Sequence, residues 1–305
     1  MPTNVAAVGQ QKNANPAAVV KAYVSITKTG ITFANVMSTF AGFWVASQGH
    51  PEWGVLLWTL LGTGLVVAGG AALNNFIDRD IDGSMKRTEA RALVAGRVRP
   101  RPAFLLGITL GIVGLIILIT MTNVTAAICA FIGLVFYAYV YTVWLKRTTT
   151  LSTVLGGIPG AIPPLIGWTA ANGGRLDLAG LTIFFIFFLW QIPHFLPFAM
   201  KRTEEYRKAG IPLLPVVVGF SQTKSQVLKY TIAMFFVSLL PYALRVEGLL
   251  YLVLAGSLGL GFLYHAIKGQ FSKTVETDLI WANKVFRYSL IYLTTMCLVL
   301  VIGVM

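Results

Sequence analysis

The sequence predicts an all-α, polytopic membrane protein with nine transmembrane helices. Of 305 residues, 56% are hydrophobic and only 11% are charged, whereas a soluble domain of this size carries about a quarter charged residues. Apolar stretches recur nine times along the chain, each near the length of about twenty residues that crosses ~30 Å of hydrocarbon. All 24 Lys and Arg residues except Arg175 and Arg245 fall on one side of that arrangement, the asymmetry expected of cytoplasmic loops.

Residues 1–24 are polar and Ala-rich without a continuous apolar stretch, which predicts a flexible cytoplasmic tail rather than a cleavable signal peptide. Residues 25–305 then form one helical domain. Its spans are expected at 29–47, 54–75, 102–121, 124–144, 152–171, 178–200, 228–246, 248–267 and 286–305. The fifth is the least regular. Pro163 and Pro164 stand inside it, where they free backbone carbonyls and break the helix; such a segment lines a cavity or packs closely on protein. With an odd number of spans, that charge asymmetry puts the N-terminus in the cytoplasm and the C-terminus outside. Cys129 and Cys297 both fall inside apolar segments, so neither a disulfide framework nor a zinc site is expected. The formal charge of +13 is explained by basic loops facing anionic lipid head groups of the bilayer, with no need of nucleic acid.

The second span meets a basic loop in the stretch Asn-Asn-Phe-Ile-Asp-Arg-Asp-Ile-Asp-Gly. Asn74, Asp78 and Asp82 recur every four residues, and on a helix such steps drift by only about 40°, so they form one polar stripe. Two carboxylates a turn apart repel each other and need a counter-ion. Oxygen-only ligands suit a hard cation such as Mg²⁺, which keeps waters and bridges to substrate phosphates. A solvated acidic helix end is the alternative. Arg87 and Arg91 follow, aligned on one face if this stretch is helical, and the Arg fork suits phosphate oxygens. There the alternative is mutual neutralisation by surface ion pairs. Lys146 and Arg147 end the fourth span behind Tyr137, Tyr139, Tyr141 and Trp144, a pattern that by itself reads as a membrane anchor.

A second polar group, Trp190, Gln191, Pro193 and His194, ends the sixth span. Polar residues at this depth face a bundle interior or a cavity. His194 is open to three roles: contact with a substrate carboxylate, ligation of iron, or satisfaction of a backbone carbonyl. The loop behind it carries Lys201, Arg202, Glu204, Glu205, Tyr206, Arg207 and Lys208, a basic surface for an anionic substrate. Glu204 and Glu205 point about 100° apart on a helix and make a poor metal site. A transporter with a coupling ion is the competing class, but its ion site belongs near the bilayer midplane, whereas Asp78 and Asp82 lie at the inner boundary.

Several motifs carry a resemblance. They are Asn74-x3-Asp78-x3-Asp82 with Lys86-Arg87-Thr88-x-x-Arg91, Tyr141-Thr-x-Trp144-Leu-Lys146-Arg147-Thr, Gly156-Gly-x-x-Gly160-Ala-x-Pro163-Pro164-x-x-Gly167-Trp168, Trp190-Gln191-x-Pro193-His194-Phe195 and Tyr206-x-x-Ala-Gly210-x-Pro-x-Leu-Pro215. Together with Phe286-Arg-Tyr-Ser289, they resemble the UbiA-type intramembrane prenyltransferases. The Asn/Asp motif points to that superfamily, and the Trp190 and Tyr206 motifs resemble its haem-farnesylating branch. The chain departs from the pattern where Thr29 and Gly30 follow Lys28 in place of Pro-Arg, and at Ala92, Ser152 and Glu205. It also has no second Asp-x3-Asp motif, which makes the expected site asymmetric.

The resemblance implies a bundle around a central cavity open to the cytoplasmic side, in a bacterial plasma membrane. It implies transfer of the farnesyl group of farnesyl diphosphate to a vinyl group of haem B, with addition of water, giving haem O and diphosphate. Mg²⁺ is the implied cofactor, held by the catalytic group Asn74, Asp78 and Asp82. Arg87, Arg91, Lys146 and Arg147 would bind the diphosphate, and His194, Trp190, Lys201, Arg202, Tyr206 and Arg207 the haem. A downstream haem-modifying enzyme or terminal oxidase assembly is the partner such a product implies.

Overall fold

The computed structural model describes residues 15–304, and the described residues are helix and loop throughout. Helix α1 (Pro16–Ile26) begins at Asn15, whose side chain accepts from the Ala17 N–H at 3.0 Å, with Pro16 in the first turn. Both are start signals for a helix. Ala22 and Ile26 are buried in a cluster with Ala72, Ala92, Leu93, Val98 and Ala103. This corrects the expected tail over residues 16–24; its earlier part lies outside the described residues. Lys28, at a left-handed φ of 51°, then turns the chain into α2 (Thr29–Ala46).

Eight further helices are long and apolar enough to cross a membrane: α3 (Trp53–Ile77), α4 (Pro100–Met121), α5 (Val124–Thr148), α6 (Ser152–Ala171), α7 (Leu178–Met200), α8 (Gly219–Ala243), α9 (Leu249–Phe271) and α10 (Val275–Ile302). The first expected span, α2, is helical but falls outside that set, because Asn35, Ser38 and Thr39 interrupt its apolar run. Helices α8 and α10 begin well before their expected starts. Their first turns carry Lys224 and Asp278, which pair inside the bundle at 2.6 Å, so charges that mimic a loop are hidden from lipid.

Helix α6 runs unbroken through Pro163 and Pro164, contrary to the expected break. Its packing explains the difference. A Cβ on Gly42 of α2 would stand 2.1 Å from the Pro164 carbonyl oxygen, and one on Gly167 would stand 2.0 Å from that of Thr39. Backbones this close leave α6 no room to deviate, the usual role of small residues between membrane helices. Helix α5 changes instead. From Phe136 to Leu145 it widens into a π-helix, a rare form that recurs at functional sites.

Because the helices alternate in direction, the ends of α3, α5, α7 and α9 share one end of the bundle with the starts of α4, α6, α8 and α10. At the opposite end, in the turn between α8 and α9, Glu247 is fully buried and neither carboxyl oxygen has a hydrogen-bond partner. A Cβ on Gly303 would stand 2.7 Å from its Oε2. Burial pushes this carboxyl from its ordinary value of 4.5 up to about 8. The folded chain therefore keeps a proton that the unfolded chain releases. Stability should fall as pH rises from 4.5 to about 8, by up to about 1.4 kcal/mol per pH unit, and level off above that window. Thermal unfolding in detergent across this range should show a downward slope in the native chain that is smaller in Glu247→Gln.

Candidate active site

Helix α3 places Asn74 in its last turn, Asp78 caps it, and one further turn, Arg79–Asp82, carries Asp82. Asp78 and Asp82 are each 1% exposed and Asn74 3%, which rules out a solvated helix end. Asn74 Nδ2 donates to Asp78 Oδ2 at 2.9 Å and to Thr142 Oγ1 at 3.0 Å. Lys28 Nζ donates to Asn74 Oδ1. The stripe is thus braced from α5 and from the turn before α2.

Basic side chains take one oxygen of each buried carboxylate. Lys146 Nζ lies 2.7 Å from Asp78 Oδ2, and Arg91 pairs with Asp82 Oδ2. Arg147 grips the exposed Asp80 through two bonds of 2.6 and 2.8 Å; that grip holds the Asp80 carboxyl below its ordinary range. Lys146 and Arg147 therefore turn inward instead of anchoring the chain in lipid. The other oxygens, Asp78 Oδ1 and Asp82 Oδ1, are buried with no hydrogen-bond partner. Burial, with repulsion from Arg91, brings the Lys28 ammonium down to about 7 against the pull of Asp78.

Arg87 and Arg91 do not share a helix face, because residues 83–98 form a series of turns. Arg91 faces Asp82, whereas Arg87 reaches across to the Phe198 ring at 5.7 Å, beside Tyr206. The first loop thereby meets the second. Met85, Ala199, Tyr206 and Ile211 form a small buried core between them.

An aromatic wall rises from this junction. The His194 ring stacks on Trp190 at 4.7 Å and on Phe286 of α10 at 4.9 Å. Ser289 Oγ stands 2.6 Å from the Phe286 carbonyl and 2.7 Å from His194 Nδ1. With its hydroxyl donated to that carbonyl, Ser289 accepts from Nδ1–H, the tautomer in which Nε2 is the unprotonated acceptor. Among the described residues, no backbone carbonyl bonds the His194 ring. The wall continues through Phe198, 5.5 Å from Phe286, under Arg202 at 3.9 Å, while Lys201 sits 5.4 Å over Phe286. Arg207 stands apart, paired with exposed Glu204. Glu205 keeps a buried oxygen, Oε2, without a partner.

Lys28, Thr142, Phe198, Phe286 and Ser289 also belong to this site; all but Phe198 stand in or beside the motifs of the resemblance, which assign them no role. Among the described residues, no three His, Cys, Asp or Glu side chains gather as metal ligands. The stripe offers two carboxylates and an amide, a set that suits a hard ion keeping most of its waters.

The sequence model of the UbiA prenyltransferase family matches residues 35–302. The chain belongs to this family. A relative from Alkalihalophilus pseudofirmus, named protoheme IX farnesyltransferase, is 46% identical over 287 residues, which cover 92% of this chain and 89% of the relative. The protoheme IX farnesyltransferase 2 of Bacillus subtilis is 43% identical over 279 residues, covering 90% and 89%. Among solved structures, a digeranylgeranylglyceryl phosphate synthase superposes with a TM-score of 0.79 at 21% identity, over 94% of this chain and 98% of the other. A UbiA homolog from Archaeoglobus fulgidus bound to GPP and Mg²⁺ gives 0.70 at 15% identity, over 92% and 99%. These two share the family fold.

Proposed function

We propose that this chain transfers the farnesyl group of farnesyl diphosphate to a vinyl group of haem B, with addition of water, giving haem O and diphosphate. The names of its UbiA-family relatives support this reading. The observation that carries it is the junction of two unlike half-sites: a buried acidic stripe with two orphaned oxygens, and a His-bearing aromatic wall under basic side chains.

The orphaned Asp78 Oδ1 and Asp82 Oδ1 fit one hard cation, with Asn74 setting the pose of Asp78. When bound, Mg²⁺ supplies positive charge against the diphosphate leaving group. Lys146, Arg91 and Arg147 line the same carboxylates and are placed to exchange them for diphosphate oxygens, with Arg87 of the first loop closing against the second. Their charge stabilises the oxygen that gains electrons as the allylic C–O bond breaks. Tyr137 and Tyr141, stacked at 6.0 Å next to the stripe, screen the farnesyl cation from premature water.

The terminal vinyl carbon of haem then bonds to farnesyl C1. Water adds to the other vinyl carbon and gives up a proton to the released diphosphate. Trp190, His194 and Phe286 hold the porphyrin, with His194 Nε2 toward the iron and Lys201 and Arg202 toward the propionates; Tyr206 and Arg207 are the more distant members of this half. The basic end of the bundle is the cytoplasmic one, by the charge asymmetry of its loops.

Purified chain given haem B, farnesyl diphosphate and Mg²⁺ should yield a haem heavier by one farnesyl group and one hydroxyl group. Prenylation of an aromatic acid with haem left unchanged would overturn the assignment.

A further inference from the structure

A cavity of about 280 Å³ opens at the same end of the bundle, apart from that site, between α9 and α10. His265, Lys268, Phe271, Ser272, Trp281 and Lys284 line it; none of them takes part in the site above. Its floor is rigid. Trp281 Nε1 donates to the His265 carbonyl at 2.8 Å, and a Cβ on Gly269 would stand 2.3 Å from the Trp281 ring. The buried Lys224 and Asp278 pair sits behind it, where Lys224 Nζ also donates to the Ser272 carbonyl at 2.8 Å and Ser272 Oγ donates to Asp278.

The charges at its mouth are not neutralised. Lys268 rests over the Tyr264 ring at 4.3 Å, and neither Lys268 nor Lys284 has a carboxylate partner among the described residues. Both ammonium groups act electrostatically on His265. Beside them the lining turns apolar and open: Phe271 is 74% exposed and Ile280 52%. Two uncompensated ammonium groups suit a phosphate, and the adjoining apolar exit suits an acyl chain lying at the membrane boundary.

We propose that this cavity holds one anionic phospholipid, its phosphate between Lys268 and Lys284 and the start of its acyl chains over Phe271 and Ile280. The floor, tied by Trp281 and by the Lys224 and Asp278 pair, holds the α9 and α10 segments that carry the two lysines against each other. A free phosphate would meet the charges but leave the apolar exit bare.

Native mass spectrometry of the full chain in mild detergent tests this by counting retained lipid. The native chain should retain one phosphatidylglycerol under conditions that strip phosphatidylcholine. Lys268→Gln/Lys284→Gln should lower that occupancy about tenfold or more, Lys268→Arg/Lys284→Arg should keep it, and Arg175→Gln at the opposite end should leave it unchanged. Equal phosphatidylglycerol occupancy in the Gln pair and the native chain would overturn the proposal, as would loss from the Arg pair equal to that from the Gln pair. Displacement of the lipid by inorganic phosphate or diphosphate at equal concentration would also overturn it, marking a free-anion site instead.

Discussion

Asp78→Asn and Asp82→Asn should each cut farnesyl transfer by about a thousandfold or more while haem binding stays within about twofold of the native chain. Each carboxylate is 1% exposed and has one oxygen committed to a basic side chain and one uncommitted. The Asn substitutions keep the volume and remove only the charge. An Ala at either position would also strand Lys146 or Arg91 in a buried setting, and removing one partner of a buried pair costs about 3–5 kcal/mol of stability. Turnover read by haem mass and haem affinity read by Soret titration on the same preparations separate the two half-sites. Activity within tenfold of native in both Asn variants would end the proposal that these oxygens hold a catalytic cation. Loss of haem binding together with turnover would place the stripe in the haem pocket instead.

His194→Ala should weaken haem binding by about a hundredfold and shift the Soret band, and Ser289→Ala should weaken it by about tenfold. The reasoning rests on one chain of donors. Ser289 gives its proton to the Phe286 carbonyl, so it receives the Nδ1 proton of His194 and leaves Nε2 free. Without Ser289 the imidazole can take either tautomer and loses its orientation between Trp190 and Phe286. Both variants keep the acidic stripe, so Mg²⁺-dependent binding of farnesyl diphosphate should be unaffected. An unchanged Soret spectrum in His194→Ala would show that this ring does not touch the iron.

The membrane class and the acidic stripe were legible in the sequence because each rests on local periodicity: runs of apolar residues for the spans, and a repeat of four for Asn74, Asp78 and Asp82. What escaped depends on distant partners. His194 and Ser289 are 95 residues apart, so no spacing rule joins them, and Phe286 looks like any lipid-facing aromatic until α10 packs on α7. Lys28 stood in a motif broken by Thr29 and Gly30, and its contact with Asn74 comes from a left-handed turn that only the folded chain displays. The starts of α8 and α10 were missed for the opposite reason. Lys224 and Asp278 each argue against a membrane helix, and only as a pair do they cease to. The stretch 83–98 was open to helix in the sequence, and its turns send Arg87 and Arg91 to different partners.

The small core of Met85, Ala199, Tyr206 and Ile211 joins the loop that carries the acidic stripe to the loop behind the aromatic wall. A shift of either loop would disturb this shared packing. Thermodynamic reciprocity then requires that if farnesyl diphosphate tightens haem binding by some factor, haem tightens farnesyl diphosphate binding by the same factor. Positive coupling through this packing would favour filling both half-sites before reaction, so that the allylic substrate ionises only with a porphyrin present to capture the cation.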